Sequence, residues 1–167
     1  MDPHSVATFC ISLEVQVRRA GVLLKRILSE TGDTAPELSA IGTYVANASL
    51  VLSLFRARVE LLANKGSAHV FDTVPTEQLI EGLVAAGNVF TDLERALGEL
   101  NDRLTPLRHI LGLSRKVIRT IATSPSFKSI SARLQVVITT ITTLVTALDY
   151  NSSSWVASYL DWRHQAH

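Results

Sequence analysis

The sequence predicts an all-α protein, an up-and-down helical bundle of about five to six helices. Three observations lead there. Apolar residues recur at alternating gaps of three and four over long stretches, which keeps one side of a helix apolar for many turns. Short polar segments containing glycine or proline separate these stretches. The strict apolar–polar alternation of half-buried strands is missing. A helix with one long apolar seam must bury it against a partner, so nearly every long segment is shaped to be packed.

The first helix is expected from about Ser5 to Leu28, with Val6, Phe9, Leu13, Val17, Ala20, Leu24 and Ile27 as its seam and Arg18, Arg19, Lys25 and Arg26 around it. Thr31-Gly32-Asp33 breaks it. The second opens on Thr34-Ala35-Pro36-Glu37, where Thr34 can cap the first-turn amides and Glu37 can reach back three residues later. Its seam is Leu38, Ile41, Val45, Ala48, Leu52, Phe55, Val59 and Leu62, ending near Asn64-Lys65-Gly66 at a glycine stop. Ser67 to Pro75 reads as a loop, and Thr76 as the cap of a third helix. That helix carries Leu79, Leu83, Ala86, Phe90, Leu93, Leu97, Leu100 and Leu104.

Pro106 and the Gly112-Leu113-Ser114 step suggest a break and a shorter helix from about Leu107 to Ala122. Ser124-Pro125-Ser126 then separates it from a helix seamed by Phe127, Ile130, Leu134, Val137, Ile141, Leu144 and Leu148. Val136 to Thr146 is rich in β-branched residues, which favour strands, but the three-and-four seam decides for helix. Asn151-Ser152-Ser153-Ser154 reads as a turn before a short last helix, Trp155 to about Gln165. The bundle domain is thus expected over residues 1–150, with 151–167 as a short helix or tail. Short connections imply antiparallel neighbours.

Composition narrows the function. At 167 residues the chain makes one domain with a core of useful size. Sixteen basic and fifteen acidic side chains leave a formal charge of +1, without the basic footprint of a nucleic-acid binder. Cys10, the single cysteine, excludes an internal disulfide and reads as a small buried hydrophobe. No secretory signal is expected at the N-terminus, and a reducing cytoplasm is the expected compartment. No glycine-rich phosphate loop occurs. Of five histidines only His164 and His167 are close, and a third metal ligand is not evident, so no metal and no cofactor is expected. Asp92, Glu94, Glu99 and Asp102, interleaved with Arg95 and Arg103, read as a solvated face and not as paired catalytic carboxylates. No catalytic residue is assigned. An enzyme is not expected.

Leu38 to Phe55 and Leu134 to Leu148 contain no charged residue. A spanning helix needs about twenty predominantly apolar residues. The serines, threonines and asparagine in these stretches favour central core helices instead.

The opening Met1-Asp2-Pro3-His4-Ser5-Val6-Ala7 resembles the Met-Asp-Pro-x-Ser start of the HeLo-like N-terminal domains of fungal NOD-like (STAND) receptors. Leu38-Ser39-Ala40-Ile41 through Leu50-Val51-Leu52-Ser53-Leu54 resembles that family's second helix. Leu79 through Val89-Phe90-Thr91-Asp92-Leu93-Glu94 resembles the helix that follows, and Leu134 to Leu148 the closing long helix. The resemblance covers about residues 1 to 150. It implies the signalling end of a receptor in which an ATPase module and a repeat sensor normally follow. Since the sequence ends at His167, it also implies an excised domain or a stand-alone relative. Related domains oligomerise and attack membranes through an apolar N-terminal segment, causing cell death. Carried over, that segment is Val6, Phe9, Ile11 and Leu13, flanked by Arg18, Arg19, Lys25 and Arg26. Glu14, Arg18 and Arg19 follow the apolar opening closely, a departure that argues against deep insertion.

The expected function is therefore a non-enzymatic signalling domain. It would act by self-association, or with another helical signalling domain, and by recruitment from the cytoplasm to an anionic membrane. The alternatives are an adaptor bundle that binds a partner helix, with Trp155, Tyr159 and Trp162 as an aromatic stripe, and a small apolar-ligand carrier with a cavity between helices.

Overall fold

The computed structural model describes residues 3–31, 35–64, 76–107 and 109–165; for residues 3, 31, 76, 111–113 and 151–165 it describes the backbone alone. Five helices form: α1 (Pro3–Thr31), α2 (Pro36–Asn64), α3 (Thr76–Leu104), α4 (Leu111–Ala122) and α5 (Pro125–Gln165), with a 3-10 turn over Thr105–Leu107. There is no strand among the described residues. The all-α bundle is what the seams demand.

Four seams meet in one core. All eight apolar positions of the α2 stripe are buried, as are all eight of the α3 stripe and the seven expected on α5. On α1 the seam differs at one place. Cys10 is fully buried where Phe9 was expected, and Phe9 stands 39% exposed. Both Val6–Phe9–Leu13 and Val6–Cys10–Leu13 satisfy three-and-four spacing, and the smaller side chain takes the position facing the core.

Around the core the order is α1–α2–α5–α3: α1 packs against α2 and α3, and α5 closes the ring against both. Glu14 meets Arg56, and Gly21 faces Val45, so α1 and α2 run antiparallel. Tyr44 hydrogen-bonds Gln135 and Arg58 pairs with Asp149, so α2 and α5 run parallel. Asp92 pairs with Arg133 while Gly82 faces Thr140, making α3 and α5 antiparallel. Successive long helices alternate in direction, but α2 and α3 lie on the diagonal and not side by side. Residues 65–75 supply enough chain to span a diagonal of roughly 14 Å, given helices about 10 Å apart and about 3.3 Å per extended residue.

Several boundaries differ from expectation for local reasons. α2 begins at Pro36, with the Ala35 carbonyl accepting from the Leu38 and Ser39 amides; the expected Thr34 cap and the Gly66 stop lie outside the described residues. The short helix starts at Leu111, four residues later than expected, because Pro106 falls within the 3-10 turn. Gly112, Leu113 and Ser114 lie inside that helix and do not break it. Ser124 marks the start of α5, its hydroxyl accepting from the Phe127 amide at 3.4 Å, with Pro125 at the first helical position. Asn151–Ser154 continues α5 where a turn was expected.

The threonine-rich centre of α5 stays helical with its hydroxyls turned inward on the backbone. Thr139, Thr142, Thr143 and Thr146 each donate to the carbonyl four residues earlier, at 2.7–3.0 Å. α2 and α5 are not central helices, however. Pro36–Asn64 and Pro125–Tyr150 are long and apolar enough by composition to cross a membrane, and only 33% and 28% of their most apolar windows are buried. Each buries one face and shows solvent the others, including Leu50 and Leu54 on α2.

The α2 register gives a direct check. Leu52 is fully buried and Leu50, two residues away, is 61% exposed. Leu52→Ala is expected to lower unfolding free energy by about 3 kcal/mol, and Leu50→Ala by less than about 0.5 kcal/mol, in urea titrations followed by circular dichroism. Equal losses would mean that the seam is misplaced.

Candidate functional site

With about 100° between successive residues, the buried stripe of α1 fixes what its opposite side must carry. Opposite that stripe lie Ile11, Val15 and Val22, which are 47%, 43% and 64% exposed. Arg18 and Lys25 flank this line on the side toward α2, and Arg19 and Arg26 on the other; all four are exposed. Arg26 reaches Glu30 at 3.7 Å. Arg18, Arg19 and Lys25 make no ion pair among the described residues. The outward face of α1 is therefore an apolar line between two cationic rows.

This divides the expected N-terminal segment. Val6 and Leu13 are core residues, at 1% and 2% exposure, and hold α1 in the bundle. Ile11 belongs to the outward face. Phe9 sits at the margin between that face and the core. Val15 and Val22 complete the outward line and were missed, because they sit among charged residues and off the seam. Their own spacing from Ile11, of four and eleven, was the available signal.

Between α1 and α2 lies an open, largely apolar groove of about 600 Å³. Gly21 and Gly42 form its floor: a Cβ on Gly42 would stand 3.4 Å from Leu24 Cδ2, and one on Gly21 3.6 Å from Val45 Cγ1. Arg18 and Lys25 make one wall, and Ala46 and Ser49 the other. Farther along, Arg56 ties the two helices together. Its Nε donates to Glu14 and its Nη1 to Glu60, both at 3.0 Å. These bonds raise the Arg56 pKa above its ordinary value, the Glu14 bond contributing most.

Beneath this cluster Cys10 is buried, and burial, reinforced by the Glu14 charge, pushes its thiol up to about 12. A thiol held neutral in that way is a poor nucleophile.

The acidic residues on α3 behave as a solvated surface network. Arg133 Nη1 donates to Asp92 Oδ2 at 2.8 Å and Arg95 Nη1 to Oδ1 at 3.2 Å. The Arg133 bond holds the Asp92 carboxyl below the usual carboxylate range. These residues border a polar hollow of about 310 Å³ whose charges largely neutralise one another. Among the described residues no group of three or more His, Cys, Asp and Glu side chains is placed to share a metal ion. His164 and the aromatic residues Trp155, Tyr159 and Trp162 lie on the continued α5 helix, and their side chains, like His167, fall outside the described residues.

No family model, curated protein or solved structure matches the chain.

The Cys10 environment has a signed pH consequence. The unfolded thiol ionises from about 9.0, whereas the folded one keeps its proton to about 12. Its contribution to stability is thus fully present below pH 9 and is lost as pH rises from there towards 12. Wild-type protein is expected to lose more unfolding free energy between pH 8 and pH 10.5 than Cys10→Ala. Parallel losses in the two proteins would place the thiol in contact with solvent.

Proposed function

We propose that this chain is a non-enzymatic signalling bundle of the HeLo-like kind, acting in regulated cell death from the cytoplasm. It works by self-association and by laying the outward face of α1 on anionic membranes. The observation that carries this reading is the line Ile11–Val15–Val22 between exposed cations. An apolar stripe with basic flanks suits the interface of an acidic bilayer, where the apolar side chains leave water and the cations stay at the headgroups. Because Val6 and Leu13 are held in the core, the docked helix offers surface contact, and insertion of the whole N-terminal segment would require α1 to leave the bundle.

The adaptor reading draws on a different feature. The α5 backbone remains helical beyond Tyr150, and Trp155, Tyr159 and Trp162 recur there at spacings of four and three. A helical segment with aromatic residues at that spacing is a form that partner grooves accept.

Dye release from anionic vesicles separates the two. Wild-type protein is expected to release dye, and Val15→Ser/Val22→Ser to weaken vesicle binding by about tenfold or more, since each apolar side chain withheld forfeits on the order of 1–2 kcal/mol. Phe9→Ala is expected to have a smaller effect, and Val136→Ser, on α5, none. Vesicles without anionic lipid should bind weakly. Absence of both binding and release would leave the adaptor reading.

A further inference from the structure

We infer that the α1–α2 groove receives the outward face of α3 from a second copy of this chain, so that copies add head to tail. This rests on the self-association proposed above and identifies the two surfaces that meet.

The complementary surface is the first half of α3. Glu77, Ile80, Glu81, Val84 and Asn88 are all exposed and lie on the side away from the core. Ile80 and Val84 are 39% and 46% exposed, with Glu77 and Glu81 beside them. Neither glutamate forms an ion pair among the described residues. The groove is the counterpart in shape and charge. Its floor is cut down to glycine at Gly21 and Gly42, and its open wall carries the cations Arg18 and Lys25. A ridge of two apolar side chains fits over glycine, while the Glu77 and Glu81 carboxylates meet the Arg18 and Lys25 cations.

The dimensions agree. Arg18 to Ser29 along the groove and Glu77 to Asn88 along the ridge each cover about 16 Å of helix axis at 1.5 Å per residue. Ala46 and Ser49 on the facing wall leave room for a third helix to approach.

The two surfaces differ and lie on different sides of the bundle: the groove sits between α1 and α2, and α3 is diagonal to α2. A contact between unlike patches leaves one of each free on every pair, so further copies add until a ring closes or the chain of copies stays open. Three turns of helix bury less than the roughly 800 Å² per partner of a standard interface, so each contact is weak and association follows concentration.

Light scattering coupled to size exclusion over a concentration series tests this. Ala46→Trp fills the groove from an exposed position, and Val84→Arg sets a cation on the ridge; both keep the buried seams intact, which melting curves verify. Wild-type protein is expected to grow in mass with concentration. Each variant alone should stay monomeric at concentrations where wild type associates. Mixed, they should form a one-to-one dimer and nothing larger, because the mixture holds one intact groove and one intact ridge that match. Wild-type association unchanged by either variant would overturn the groove–ridge contact while leaving self-association standing. Monomeric variants that give no mixed dimer would overturn the head-to-tail arrangement. A wild type that stays monomeric throughout would overturn the self-association reading as well.

Discussion

The three-and-four apolar seam is the constraint on which the rest of the molecule depends. Each long helix has one such stripe, and four stripes meeting in a square satisfy one another without a disulfide. The hydrophobic term is large, and the buried positions are overwhelmingly aliphatic: Leu52, Leu93, Leu97 and Ile141 are all fully buried. The ion pairs between helices among the described residues lie at the periphery. Arg56 with Glu14, Arg58 with Asp149 and Arg133 with Asp92 set register and direction and contribute little energy at such exposure. With one stripe per helix committed to the core, every other face is available for some other use.

Those remaining faces are not alike. α1 shows an apolar line between cations, α2 shows leucines along an uncharged run from Leu38 to Phe55, and the first half of α3 shows apolar residues beside acids. A bundle whose outer faces served only solubility would mix both signs on each helix, as the second half of α3 does with Asp92 and Arg95. Segregation of charge by face is what gives the molecule directional surfaces. The groove adds a second element of direction, since paired glycines occur where α1 and α2 approach and leave a channel bordered by Arg18 and Lys25.

Much of the fold was legible in the residues themselves. The α2, α3 and α5 seams can be read position by position, because a long run with one consistent period leaves a single burial pattern. Phe9 and Cys10 show the limit: two adjacent residues satisfied the same spacing, and packing chose between them by size. Asn151–Ser154 shows another. Asn and Ser favour turns, but a long helix already formed extends at modest cost per residue, and serine is only moderately unfavourable within it. The diagonal placement of α2 and α3 depends on tertiary packing, which no local period encodes. Of the candidate site, Ile11 and the four cations were legible. Val15 and Val22 were not singled out, and the groove could not be, because Gly21 and Gly42 come together only once α1 and α2 are antiparallel in this register.

On the proposal above, the outward face of α1 is the surface that works at a membrane. Nitroxide labels placed singly at Ile11, Val15 and Val22, with Val136 on α5 as the reference, report this by oxygen accessibility with and without anionic vesicles. Increased oxygen contact and reduced mobility at the three α1 positions, with Val136 unchanged, is the result expected. Equal changes at all four sites, or none at any, would contradict it.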